Sequence, residues 1–317
     1  MKFNEVPISN IKTFDFMVTK RNDNHVVQDI LNQYLSRPGK NIRPQLIKHF
    51  GNIFKISETD VMLLSRAAEL IHTASLIHDD VVDEASTRRG HSTLNVTHTN
   101  AKAVLAGDYL LARVVGELVL AGQVGPLKSL SETLEDLVEG EFLQDDLKKR
   151  DRITQEDLVR VSTKKTGSLL GWCCSSVPLL KGLDKSIVSQ TNAAGVTLGI
   201  IFQMVDDNLD YSSNSGKEYA KDLKEGLINF TTLNLLTLYP ELYFPVHQIR
   251  GTDFTASPWT NSQMNDAISM TNQIASEKVD ELIRMLKAMF KEYVDLIDVS
   301  ASNQLFEFIE QLQKRIR

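Results

Sequence analysis

Two stretches of this chain carry residue types whose spacing could do chemistry. Asp79-Asp80-Val-Val-Asp83 and Asp206-Asp207-Asn-Leu-Asp210 repeat one pattern, Asp-Asp-x-x-Asp, each behind an apolar run. On a helix, Asp79 and Asp83 are four apart and share a face. Asp80 sits about 100° around the axis. Three carboxylates that close repel one another unless a cation neutralises them. A set of hard oxygen ligands, with no Cys or His among them, suits Mg²⁺, which keeps some of its waters and is shared with substrate phosphates. A single such cluster would read as a solvated acidic helix end. The second copy decides for metal.

Cations accompany the acids. Lys40 and Arg43 precede Pro44, where a helix can open. With the helix dipole they form an anion site; on this stretch alone, two solvated cations are an equal reading. Arg88-Arg89-Gly90 follows the first cluster, Lys165 lies mid-chain, and Lys217 and Lys221 follow the second cluster. Together these residues suggest polyanion chemistry, with Mg²⁺ bridging the acidic clusters to a diphosphate while the cations hold a second diphosphate. A diphosphate clamped in this way leaves carbon readily. Ionisation of an allylic diphosphate is therefore the expected reaction class, not hydrolysis by an activated water.

The elements that must position these groups read as helices. Apolar spacing predicts helices over 25–35, 43–54 and 129–147 and from about Asn100 to Leu120. Another runs from a cap at Ser57–Asp60 to the first cluster. Gly122–Pro126 reads as a turn. Thr154-Gln-Glu-Asp157 reads as a helix cap, and the helix it opens carries Lys164-Lys165-Thr166-Gly167. Residues 168–183 are apolar around Trp172, with Pro178 as a break. A helix over 186–210 ends at the second cluster. Residues 211–226 read as a mobile loop, 230–239 as a helix, 241–260 as an irregular connection, and 261–290 and 301–316 as two closing helices. No convincing β alternation and no Gly-rich phosphate loop is present. The expectation is an all-α chain forming a single domain over residues 1–317.

Composition narrows the class. The 317 residues carry a net charge of -6, which argues against a general nucleic-acid binder. Adjacent Cys173 and Cys174 cannot form a disulfide framework and fit a reducing compartment. The N-terminal residues show no secretory or transit pattern, and no uncharged apolar stretch reaches the roughly 18 residues needed to span a membrane. A cytoplasmic location is expected, with attachment to a membrane surface left open.

These motifs resemble those of trans (E-type) isoprenyl diphosphate synthases over nearly the whole chain. Besides the two clusters, Gly39-Lys40-Asn-Ile-Arg43-Pro44, Ile71-His72-Thr, Gly107-Asp108 and Lys165-Thr166-Gly167 match. The resemblance implies the isoprenoid synthase fold, an antiparallel bundle of long helices around a deep cavity, as a homodimer. It implies three Mg²⁺ ligated by Asp79, Asp83 and Asp206, with Asp80, Asp207 and Asp210 at or just behind the metals. Lys40, Arg43, His72 and Arg89 would bind isopentenyl diphosphate. Arg88, Lys165, Gln203 and Lys217 would hold the allylic diphosphate. Thr166 and Gln203 would stabilise a carbocation with their dipoles. The implied reaction is head-to-tail condensation, in which C–O ionisation is followed by attack of the isopentenyl double bond and proton loss to the departing diphosphate. One departure is Gly226-Leu227-Ile228-Asn229-Phe230, which lacks the proline usual there and leaves the local helix start unclear.

Product length follows from geometry, since one helical turn of about 5.4 Å approaches one isoprene unit. Ala74 and Ser75, one turn before Asp79, are small where a farnesyl-type enzyme carries an aromatic. A long product is expected, hexaprenyl to decaprenyl, such as a quinone side-chain precursor released at a membrane surface. Ala74→Phe should shorten it. The alternatives are a shorter-chain synthase of the farnesyl or geranylgeranyl type and a subunit of a heteromeric synthase. A class I terpene cyclase would normally lack the site made by Lys40, Arg43, His72 and Arg89. His78 reads as structural, Lys164 and Lys224 as solvated, and Tyr109, Trp172 and Trp259 as packing residues.

Overall fold

The computed structural model describes residues 41–88, 90–211, 219–251 and 257–313. Its elements are α1 (Ile42–Ile53), α2 (Glu58–Val82), the strands β1 (Thr87–Arg88) and β2 (His91–Ser92), α3 (Leu94–Thr97), α4 (Asn100–Leu120), α5 (Val124–Lys148) and α6 (Gln155–Ser162). A π-helical turn over Thr163–Gly167 leads into α7 (Ser168–Leu180) and α8 (Lys185–Leu209). Then come α9 (Lys221–Lys224), α10 (Phe230–Leu238), α11 (Tyr243–Ile249), α12 (Asn261–Glu292) and α13 (Val299–Gln313). Among the described residues the only sheet is the β1–β2 ladder, which pairs Arg88 with His91. The all-α expectation holds.

The chain divides into two compact units. One holds Glu69–Glu117 and the other Ile42–Ala68 with Leu118–Arg317. In the second unit α7 is the axis. Ser168 to Pro178 are all buried, as an all-round apolar helix requires. It packs against α5, α8 and α1. Trp172 is fully buried and donates its indole N–H to the Pro126 carbonyl at 3.0 Å. Cys173 and Cys174 are buried thiols in the same core. In the first unit Leu70, Ile71, Ala74 and Ile77 of α2 and Ala103, Ala106, Leu110 and Val114 of α4 supply the core.

Caps read from the sequence are present. The Ser57 hydroxyl accepts the Asp60 N–H, and Thr154 with Asp157 forms a reciprocal capping box. The prolines are misleading. Helix α5 starts at Val124, ahead of the expected position, because Pro126 falls in a first turn that has no use for its missing N–H. Helix α7 runs through Pro178 and stops at Gly182, whose φ of +65° lets the chain turn away. The start of α10, unclear from the sequence, is set by Asn229, which accepts the Thr232 N–H at 2.9 Å. Part of the expected irregular connection is helical, as α11. Of the expected loop over 211–226, residues 221–224 form α9 and 212–218 lie outside the described residues.

Candidate active site

The first acidic cluster ends α2. The helix stops in a Schellman turn, with the Ala85 N–H on the Asp80 carbonyl, the Glu84 N–H on the Val81 carbonyl, and Glu84 at φ +51°. Asp79 is half-buried and Asp83 exposed, whereas Asp80 is 1% exposed. Asp80 accepts the Nε–H of Arg88 at 2.6 Å. That pair ties the hairpin to the helix end. Gly90, at φ +76°, makes the reversal between the strands. One turn before Asp79, Ala74 is fully buried and Ser75 half-buried, its hydroxyl on the His72 carbonyl at 2.9 Å. His72 is half-buried. His78 faces α4, with Nε2 3.1 Å from the Val104 carbonyl and 3.6 Å from Asp108. A Cβ at position 107 would meet that ring at 2.1 Å, so Gly107 is the space His78 occupies.

The second cluster lies in the other unit, at the end of α8. Asp206 is exposed, but Asp207 and Asp210 are each 3% exposed. Asp207 accepts the Gln203 side-chain N–H and the Phe230 backbone N–H, both at 2.8 Å. Burial and the nearby Asp222 push its pKa up to about 8, against the hydrogen bonds from Phe230 and Gln203 and with a further push from Asp206. Asp210 accepts the backbone N–H groups of Lys221 at 3.1 Å and Asp222 at 3.2 Å, which anchors the start of α9. The spacing Asp-Asp-x-x-Asp therefore hides a division of labour. Asp79, Asp83 and Asp206 keep surface exposed, while Asp80, Asp207 and Asp210 are buried on protein partners.

Gln203 also reaches the π-turn. Its Oε1 accepts the Thr166 hydroxyl at 3.0 Å. A π-turn inserts a residue and so rotates the next helical turn by about 100°. Here Lys164 and Lys165 both reach α5 while Thr166 faces α8. Lys165 Nζ lies 3.0 Å from Gln144 and 2.8 Å from Glu141. Lys164, expected to be solvated, is instead half-buried on Asp136 at 2.6 Å and Glu139 at 2.5 Å. Those two partners hold its pKa above the usual lysine range.

Two glycines set this geometry. A Cβ at Gly140 of α5 would stand 2.9 Å from the Lys165 nitrogen, and one at Gly199 of α8 would stand 2.5 Å from the Gly167 Cα. The π-turn is thus held against backbone on both sides. Sequence reasoning missed Gly140, Gly199 and the partners Glu141 and Gln144. The available signal was glycine four apart, Gly167/Gly171 and Gly195/Gly199, on two neighbouring helices.

Arg43 lies in the first turn of α1, with Pro44 third in the helix instead of first. Lys40, Arg89 and Lys217 lie outside the described residues. Among the described residues no three His, Cys, Asp or Glu side chains form a ready metal cage. Asp79, Asp83 and Asp206, half-buried or exposed, carry the hard carboxylate oxygens that fit Mg²⁺, which takes one or two carboxylates and completes its octahedron with water and phosphate.

The Polyprenyl synthetase family matches residues 24–256. A decaprenyl-diphosphate synthase of Dictyostelium discoideum is 37% identical over 221 residues, 68% of this chain and 48% of that one. A probable mitochondrial hexaprenyl pyrophosphate synthase of Yarrowia lipolytica is 36% identical over 233 residues, 70% of this chain and 52% of that one. The chain thus spans about half the length of these relatives. The crystal structure of a decaprenyl diphosphate synthase from Rhodobacter capsulatus superposes with a TM-score of 0.78 at 25% identity, covering 92% of this chain and 90% of that one.

Proposed function

This chain belongs to the polyprenyl synthetase family, and on that premise we propose that it condenses isopentenyl diphosphate head-to-tail with an allylic diphosphate to give a long all-trans polyprenyl diphosphate. The observation that carries the reading is the division within the acidic clusters. Asp79, Asp83 and Asp206 keep surface exposed, while Asp80, Asp207 and Asp210 of the same two motifs are buried on protein partners.

In this reading Asp79, Asp83 and Asp206 would hold three Mg²⁺, which would supply the positive charge that makes the diphosphate a leaving group. Lys165, with Arg88 and Lys217, binds the allylic diphosphate. In the structure as it stands, Glu141 and Gln144 hold the Lys165 ammonium. Arg43 and His72, with Lys40 and Arg89, bind isopentenyl diphosphate. As the C–O bond breaks, Thr166 and Gln203 turn oxygen dipoles toward the allylic cation. The isopentenyl double bond attacks C1, a C–C bond forms, and the departing diphosphate takes the proton.

The names of the relatives, decaprenyl and hexaprenyl synthases, support a long product. Of the two small residues before Asp79, Ser75 has surface and Ala74 has none, so Ser75 is the better place to test a stop. We further read the protein as a homodimer, supported by exposed Val138 and Phe142, one turn apart on α5. A cytoplasmic site fits its two buried free thiols. No described helix is long and apolar enough to cross a membrane. We favour release of the product at a membrane surface, with a quinone ring as the acceptor.

The test is incorporation of labelled isopentenyl diphosphate into solvent-extractable product by the purified chain with farnesyl diphosphate and Mg²⁺. Activity that disappears on chelation and in Asp79→Asn supports the reading. Activity that appears only with a second polypeptide would make this a subunit of a heteromeric synthase.

A further inference from the structure

Gln203 has a side-chain amide whose two ends differ in sign, and a carbocation would feel the difference. Its neighbours on either side are Thr166 at 3.0 Å and Asp207 at 2.8 Å. We propose that Asp207 is a positioning residue which fixes the orientation of the Gln203 amide, and that it is not a metal ligand. The inference rests on the condensation reading above.

Donor chemistry gives the direction. Asp207 is 3% exposed, and its oxygens are divided: Oδ2 takes the Phe230 N–H at 2.8 Å and Oδ1 takes Gln203 Nε2. Both oxygens accept here, and an ionised carboxylate has no proton to donate. The Gln203 nitrogen must therefore face Asp207, and its Oε1 must face Thr166. The Thr166 hydroxyl directs its one proton at that Oε1. The result is two oxygens side by side, with no N–H between them. The anchor is firm because Phe230 opens α10, where a helical N–H has no partner within its own helix. Asn229 caps that same helix start through the Thr232 N–H. The chain of bonds runs from a helix terminus to the residues assigned to the cation, through a side chain that would otherwise be counted with the metals.

Asp207→Asn is isosteric and turns the chain over. The oxygen of its new amide keeps the Phe230 N–H, so the NH₂ faces Gln203, whose own amide must present oxygen there. That leaves the Gln203 NH₂ beside Thr166. The swapped pair Gln203→Glu/Asp207→Asn restores the order. Its carboxylate at position 203 accepts from both the amide at position 207 and Thr166, and the net charge of the pair is unchanged. Wild type and both variants are assayed side by side with Mg²⁺, farnesyl diphosphate and isopentenyl diphosphate.

The expected result for Asp207→Asn is a kcat lowered by about 10²-fold, the scale for losing one preorganised dipole. The KM values and the Mg²⁺ dependence should stay within about two-fold, and the swapped pair should regain about ten-fold or more of the lost rate. Calorimetry with inorganic diphosphate and Mg²⁺ needs no turnover, and binding should be unchanged in Asp207→Asn. Weaker binding there, a raised Mg²⁺ requirement, or no recovery in the swapped pair overturns the inference. If the wild type makes no polyprenyl product but Asp207→Asn binds diphosphate normally, the activity reading fails and Asp207 still stands outside the metal site. If Asp207→Asn does not fold, the swapped pair carries the test by itself, since it keeps every hydrogen bond.

Discussion

Gly199→Ala asks whether backbone contact at the π-turn positions the site. The added Cβ would stand 2.5 Å from the Gly167 Cα, 2.8 Å from its nitrogen and 3.0 Å from the Thr166 carbonyl carbon. Carbon atoms pack at about 3.5–4.0 Å, so the deficit is about 1 Å. All three neighbours are backbone, and none can swing aside. Helix α8 must therefore move off the π-turn by about that amount. Gln203 is one turn further along the same face and moves with it. Its 3.0 Å bond to Thr166 then opens beyond hydrogen-bonding range, to about 4 Å. Overpacking costs about 1–3 kcal/mol and the lost bond about 1 kcal/mol. Alanine returns about 0.5–1 kcal/mol of helix propensity. The net is a loss of about 1–3 kcal/mol, a few degrees in Tm for a chain of this size. Because catalytic geometry fails over about 1 Å, kcat should fall about 10²-fold. Urea titration reads the first quantity and steady-state condensation the second. Gly116→Ala is the control, since nothing lies within 4 Å of its added Cβ; it should stabilise by about 0.5–1 kcal/mol. A Gly199→Ala protein with the stability and rate of the wild type would refute the claim.

Arg250 donates to the carbonyls of Gly226 at 2.8 Å and of Arg150 and Leu147 at 2.6 Å. Arg250→Ala should cost about 1–3 kcal/mol in urea unfolding, and Arg250→Lys should recover less than half, because ammonium cannot reproduce the fork. Ser75→Phe should shorten the product by several isoprene units, read by mass spectrometry; an unchanged product length would remove Ser75 as the stop. His49, its ring tilted 36° against Phe308 with centroids 4.9 Å apart, has its pKa lowered from 6.5 to about 4 by burial and by Lys48. Between those values the unfolded chain binds a proton that the folded one does not, so stability falls as pH drops from 6.5 toward 4. The loss is at most about 3 kcal/mol. In His49→Met that part of the pH slope should vanish, as followed by unfolding at each pH.

How much of the fold and site is legible in the sequence depends on what each signal encodes. Helices show because apolar spacing and caps are local, as at Ser57 and Thr154. Pro126 misleads because proline is harmless in a first turn, where its N–H has no helical partner. Pro178 misleads because the helix runs through it despite the lost bond to the Cys174 carbonyl, and the helix end at Gly182 depends on one φ angle. The π-turn leaves no mark, since one inserted residue changes no composition. The two acidic clusters are plain, but not their division. Asp83 and Asp210 each follow the last residue of a helix in the same motif. After Asp83 the chain turns at Glu84 and the carboxylate stays exposed. After Asp210 it returns, and the N–H groups of Lys221 and Asp222 close over the carboxylate. Spacing places a side chain on a helix face but does not say what returns to cover it.

The central claim is that this chain builds a long all-trans polyprenyl diphosphate from isopentenyl units. The most direct measurement is mass spectrometry of the dephosphorylated products made by the purified protein from farnesyl diphosphate, isopentenyl diphosphate and Mg²⁺. A dominant alcohol in the hexaprenyl to decaprenyl range is the predicted result. A product that stops at geranylgeraniol, or a cyclised hydrocarbon made without consuming isopentenyl diphosphate, would contradict it.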